Sequence, residues 1–176
     1  MRLLERAHRT LESSQIPHAV IGAAALAVHG VSRSTLDVDL LVYGRRCLEP
    51  KLWNQLSAEG VVVDVRRGDS DDPLAGVIRL EQRGERLVDV IVGRSKWQQE
   101  IIGRAARTRL GDFEIPVALA PDLVLLKLYA GGVQDRWDVQ QLLAAVDRDA
   151  IVAAVDENVP KLPARCRRLW KELRTT

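Results

Sequence analysis

Residues 20–42 read VIGAAALAVHGVSRSTLDVDLLV, and the fold follows from how that stretch is divided. Ala19, Val20 and Ile21 make a short apolar run that fits a buried strand. Gly22 fits a turn, and Ala23 to His29 supply small residues for one or two helical turns packed close to backbone. A strand, a Gly turn and a helix start offer backbone N–H groups to an anion. Asp37 and Asp39 then alternate with Leu36, Val38 and Leu40. In an extended chain successive side chains point to opposite faces, so both carboxylates share one face, with Cα atoms about 7 Å apart. Two like charges in apolar surroundings repel each other and resist desolvation unless a cation compensates them. Mg²⁺ suits such oxygen ligands and is commonly shared between carboxylates and substrate phosphates. Asp-Val-Asp alone also fits a solvated edge strand; the strand–Gly–helix lead-in shifts the balance toward a metal.

These residues resemble the nucleotidyltransferase superfamily with the DNA polymerase β-like fold, in particular small bacterial AbiEii-type toxins and aminoglycoside nucleotidyltransferases. The family pattern is Gly followed by Gly or Ser, a short helix, Asp-x-Asp on a strand and a later third carboxylate. Gly22, Asp37 and Asp39 match it. Ala23 departs from it, removing a possible side-chain contact to nucleotide phosphates while leaving the backbone amides. The segment HGVSRST at 29–35, with Arg33, is similar to the His-Gly…Arg-x-Thr lead-in of some members. The resemblance implies an α/β (α+β) fold, a small mixed sheet flanked by helices with a helical C-terminal part. It also implies two Mg²⁺ ions and a nucleoside triphosphate substrate.

Further along, 76–82 and 86–92 alternate enough to pair around Arg83, Gly84 and Glu85. Asp89 is the one charge in the apolar run LVDVIVG, and burying it unpaired costs several kcal/mol. The resemblance makes Asp89 the third carboxylate, binding metal and accepting the proton of an attacking hydroxyl; an ion pair with Arg33 or Arg79 is the structural alternative. APDLVLLKLYAGGVQDRWDVQQLL resembles the segment after the family's catalytic domain, where a lysine contacts triphosphate. Lys127, Asp135 and Asp138 are the matched residues, and Asp135 and Asp138 lie one helical turn apart. With Gly22, Ala23 and Arg33 they form the expected nucleotide-binding set.

The remaining pattern predicts an N-terminal amphipathic helix on Leu3, Leu4, Ala7 and Leu11, and a surface position for His18. Leu48, Leu52, Trp53 and Leu56 predict a second helix capped at Gly60. A strand is expected at 61–65, a helix from Trp97, a last strand at 113–117, and a helix opened by Pro121 and Asp122. Asp69, Asp71 and Asp72 lack calcium-loop spacing and fit a solvated turn. The basic stretch 161–174 predicts a helix that docks through Leu169, Trp170 and Leu173, or alternatively an RNA-facing strip.

The 176 residues, 47% hydrophobic and 28% charged with net charge +2, describe an ordinary globule able to bury a core. A catalytic domain at 1–120 and a helical region at 121–176 are expected. Cys47 and Cys166 are far apart and without metal spacing, which fits free thiols. With no signal-peptide pattern and no long apolar run, a cytoplasmic protein without a membrane partner is expected. The expected activity is Mg²⁺-dependent transfer of a nucleotide to an acceptor hydroxyl, on tRNA, a protein or an antibiotic. A toxin with a cognate antitoxin is one form of this. A module that binds nucleotide or partner without turnover is the alternative.

Overall fold

The computed structural model describes residues 2–33, 35 and 37–175. Leu36 and Ser34 of the decisive stretch lie outside the described residues. The chain runs α1 (Arg2–Ser13), β1 (His18–Ile21), α2 (Gly22–Val28), β2 (Asp37–Tyr43), two 3-10 turns (Arg45–Leu48 and Pro50–Trp53) and α3 (Asn54–Ala58). There follow β3 (Val62–Arg67), β4 (Gly76–Glu81), β5 (Leu87–Gly93), α4 (Lys96–Arg104), β6 (Ala106–Leu110) and β7 (Phe113–Val117). The C-terminal part is α5 (Ala120–Ala130), α6 (Val133–Ala145), α7 (Arg148–Asn158), a 3-10 turn (Val159–Lys161) and α8 (Ala164–Leu173).

All seven strands form one mixed sheet in the order β3-β4-β5-β2-β1-β7-β6. β2 runs parallel to β5, and β1 parallel to β7; the other neighbours are antiparallel. The central strands carry the apolar runs. Val38, Leu40, Leu41 and Val42 on β2 and Val88, Val90 and Val92 on β5 are all buried, as expected where helices cover a parallel pair. α1 buries the predicted stripe of Leu3, Leu4, Ala7 and Leu11, each leucine contributing about 2 kcal/mol through removal of apolar surface from water.

Several expectations need correction. His18 is not a surface residue: it is 4% exposed and its Nε2 lies 2.6 Å from His8 Nδ1. The helix expected across Leu48 to Leu56 is instead two 3-10 turns and the short α3. Pro50 cannot donate to a preceding turn and disfavours helical geometry at Glu49, so the segment restarts there. Its end is as expected, with Gly60 at φ +85° and Val61 N–H donating to Leu56 O. The strand at 113–117 is paired with an additional edge strand, β6, and α7 is likewise an addition.

α5 has a largely apolar surface, burying Leu123, Val124, Leu125 and Leu128. It packs against α2 and also against α6, α7 and α8. This central position brings Lys127 to the sheet. α8 docks as expected through Leu169, Trp170 and Leu173, and Cys47 and Cys166 are buried free thiols. Among the described residues no helix is long and apolar enough to cross a membrane.

Candidate active site

β2 and β5 are parallel and in register, so that Asp39 stands opposite Asp89. Asp37, two residues earlier on β2, falls on the same face. One ligand oxygen from each of Asp37, Asp39 and Asp89 lies within 4.8 Å of the others. Such crowding has an electrostatic cost. Burial, then the charges of Asp37 and Asp89, push Asp39 up to about 6, against the opposing effect of Lys127 and Arg33. Three acidic oxygen donors converging in a partly buried site, with one destabilised as an anion, fit a hard divalent cation.

The neighbouring residues fix this geometry. Thr35 donates its hydroxyl to Asp37 Oδ1. Gly22 adopts φ +64°, and a Cβ there would overlap Asp39 Oδ2 and lie 2.9 Å from its Cγ. Glycine is therefore needed twice at this turn, for its backbone conformation and for clearance beside a carboxylate. Ala23 is buried at the start of α2.

Asp89 does not stand free. Arg79, its cross-strand partner on β4, donates Nε to Oδ1 at 2.9 Å and Nη2 to Oδ2 at 2.8 Å. Asp89 thus stands beside the Asp pair and is also ion-paired with Arg79, the structural alternative.

A second charged cluster closes the other side. Lys127 Nζ lies 2.9 Å from Asp135 Oδ1 and 2.6 Å from Asp138 Oδ2. Asp138, fully buried, also takes Arg33 Nη1 at 3.3 Å and Gln134 Nε2 at 3.2 Å. Arg33 Nε is buried without a hydrogen-bond partner. Asp135 additionally accepts from Gly132 N–H at 2.9 Å, capping the start of α6. All the predicted side chains except Ala23 therefore belong to one connected region around the carboxylates.

Among the cavities beside it, two are lined by a carboxylate of the triad. One, of about 400 Å³, is lined by Gly22, Asp39, Lys127, Tyr129, Asp135 and Arg165, among others. The other, of about 410 Å³, lies on the Asp89 side and is lined by Arg66, Arg67, Asp72, Leu74, Arg79 and Asp89, among others. Both are of the size that holds small ligands. Tyr129 and Arg165, stacked with the guanidinium 5.2 Å from the ring centroid, were not anticipated from the sequence, nor were Arg66 and Arg67. Arg165 lies in the basic stretch 161–174, and Arg66 and Arg67 are adjacent at a strand end, but only the tertiary fold brings them to these cavities.

No family model and no curated protein matches the chain. Solved structures do. ANT(2″)-Ia in complex with adenylyl-2″-tobramycin is similar at TM-score 0.58 and 11% identity, covering 91% of this chain and 97% of that one. The lincomycin-bound lincosamide antibiotic adenylyltransferase LnuA is similar at TM-score 0.51 and 12% identity, over 81% of this chain and 96% of that one. An antigenic nucleotidyltransferase-like protein from Paracoccidioides brasiliensis is similar at TM-score 0.51 and 16% identity, over 98% and 85%. The chain has the nucleotidyltransferase fold.

Proposed function

We propose that the protein is a Mg²⁺-dependent nucleotidyltransferase moving a nucleoside monophosphate from a nucleoside triphosphate to an acceptor hydroxyl. The observation that carries this reading is the convergence of Asp37, Asp39 and Asp89 on two parallel strands, beside a cavity containing Lys127. Asp37, Asp39 and Asp89 would hold two Mg²⁺ ions, which when bound neutralise charge on the triphosphate and the leaving pyrophosphate. Lys127 supplies positive charge to the same anion, and Asp135 and Asp138 hold its ammonium in place. Gly22 keeps the Asp39 carboxylate unobstructed, and the amides that follow face the phosphates.

In the reaction the acceptor oxygen forms a bond to the α-phosphorus as the bond from that phosphorus to the bridging oxygen breaks. Pyrophosphate leaves, and the acceptor proton passes to the Asp89 carboxylate. Arg79 must give up at least one of its hydrogen bonds to Asp89 for that oxygen to receive it.

The acceptor we place first is an RNA end such as that of tRNA, with the protein acting in the cytoplasm as an AbiEii-like toxin held by a cognate antitoxin. The basic surface of α8 supports this reading. Incubation with each α-³²P-labelled nucleoside triphosphate, Mg²⁺ and total tRNA, with tobramycin in parallel, tests it. Label on tRNA with wild-type protein and none with Asp39→Ala is the expected result. Label on neither acceptor, with no Mg²⁺-dependent triphosphate binding, would leave a partner-binding module as the function.

A further inference from the structure

The cavity on the Asp89 side has a composition of its own. Arg66 and Arg67 at the end of β3 and Arg79 on β4 line it, together with Asp72 and Asp89. Each carboxylate already accepts hydrogen bonds from the protein. Asp72 Oδ2 accepts from Asp69 N–H at 2.8 Å, and both oxygens of Asp89 are taken by Arg79. The arginines are anchored by only part of each guanidinium. Arg66 gives Nε to Asp64 at 2.8 Å, and Arg67 gives Nη2 to Leu48 O at 2.8 Å. The wall between the two cavities, Pro73, Leu74 and Ile91, is common to both. Arg94 braces its loop by donating Nη1 to Ser70 O at 2.8 Å and Nη2 to Asp69 O.

We infer that this cavity is the acceptor site and that it selects an acceptor carrying phosphate close to the attacking hydroxyl, read by Arg66, Arg67 and Arg79. The inference rests on the nucleotidyl-transfer reading, because it places the acceptor on the face of Asp89 turned away from Lys127. Guanidinium groups match phosphate oxygens with paired hydrogen bonds, whereas they offer a polyamine no acceptor. Phosphate has a second effect at Arg79. By competing with Asp89 for the same N–H groups it draws the guanidinium off the carboxylate, so arrival of the acceptor frees the base that it needs. The phosphate can belong to an RNA backbone or to a free nucleotide or sugar phosphate.

The test uses the full chain in two titrations. Mg²⁺ and a non-hydrolysable ATP analogue are bound first, filling the Lys127 side. Then AMP, an oligoribonucleotide ending in a 3′-hydroxyl, or tobramycin is added and followed by calorimetry. AMP and the oligoribonucleotide are expected to bind, inorganic phosphate to compete with them, and tobramycin to show no heat. Arg66→Gln with Arg67→Gln should weaken AMP roughly tenfold or more, the scale of lost charge-assisted hydrogen bonds. It should leave the analogue within about twofold, as expected for a separate site. Tighter binding of the oligoribonucleotide than of AMP identifies RNA as the source, and equal binding a small phosphate. If neither phosphate-bearing probe binds the loaded protein, or the double variant binds AMP as well as wild type, the acceptor site is wrong while the triphosphate site stands. If the analogue itself does not bind with Mg²⁺, the transfer reading fails and the acceptor site with it.

Discussion

A methyl group on Gly22 would occupy the space of Asp39 Oδ2, because the turn at φ +64° brings the two residues into contact across β1 and β2. Gly22→Ala therefore combines two penalties, left-handed backbone strain of about 1–2 kcal/mol and a displaced carboxylate. Nucleotidyl transfer should fall on the order of 100-fold, the cost of misplacing a reacting group by about 1 Å. Gly60→Ala is the control. It shares the strain, at φ +85°, but nothing lies within 4 Å of the added Cβ, so a melt should record the loss while transfer is unchanged. Equal activity losses in the two variants would show that Asp39 is not held by this contact.

The crowding of Asp37, Asp39 and Asp89 makes a prediction opposite in sign to most active-site substitutions. Asp39→Asn removes an anion that burial and two like charges disfavour, so without metal the variant should be more stable than wild type, on the order of 1–2 kcal/mol. Millimolar Mg²⁺ should raise the melting temperature of wild type, since it binds only the folded site, and have no effect on the variant. Thermal melts with and without Mg²⁺ decide both points.

Asp138 is fully buried, and its charge is balanced by Lys127 at 2.6 Å and Arg33 at 3.3 Å. Lys127→Met should cost about 3 kcal/mol in denaturant unfolding, because it leaves the buried carboxylate with only the longer contact to Arg33. Adding Asp138→Asn should recover part of that loss, so the two changes are non-additive. Strict additivity would mean that the pair is not coupled.

His18 Nδ1 lies 2.8 Å from Ile16 O, a group that can only accept, so Nδ1 carries the proton and His18 Nε2 accepts from His8 Nδ1 at 2.6 Å. Both histidines are lowered from 6.5, mainly by burial. The unfolded chain then binds more protons below that value, so stability is complete above about pH 6.5 and falls as pH drops through it. His8 Nε2 faces Glu12 at 3.5 Å, which helps His8 hold a proton. Urea midpoints from pH 7.5 to 5 should decline, and more steeply in Glu12→Gln. A flat profile would contradict the buried neutral pair.

What the sequence revealed depended on whether the signal was local. Asp37 and Asp39 were legible because strand periodicity places them on one face within three residues. Asp89 stood out as the single charge in an apolar run, and even its partner Arg79 was within reach through the hairpin. Lys127 was conspicuous in an apolar helix. The breaks came where a distant residue decides the outcome. His18 is buried because His8 on α1 satisfies its ring, and Arg165 reaches the site only because α8 packs against α5. β6, ARTRL, alternates charge with small or apolar residues and faces solvent along much of its length, so no apolar face announced it. The helix after Gly44 failed for a local reason that was readable, Pro50.

The parallel pairing of β2 with β5 also sets when the acidic site comes into being during biosynthesis. Asp39 and Asp89 are separated along the chain by the whole of β3 and β4, and a parallel pair cannot close by a simple hairpin. Closing that pair carries the entropy cost of the intervening chain. A chain still emerging from the ribosome with only its first two strands exposed carries Asp37 and Asp39 without their third partner. The lysine that balances them comes later still, on α5. The three-carboxylate cluster is therefore complete only once β5 has paired with β2, and Lys127 joins it only once α5 has docked.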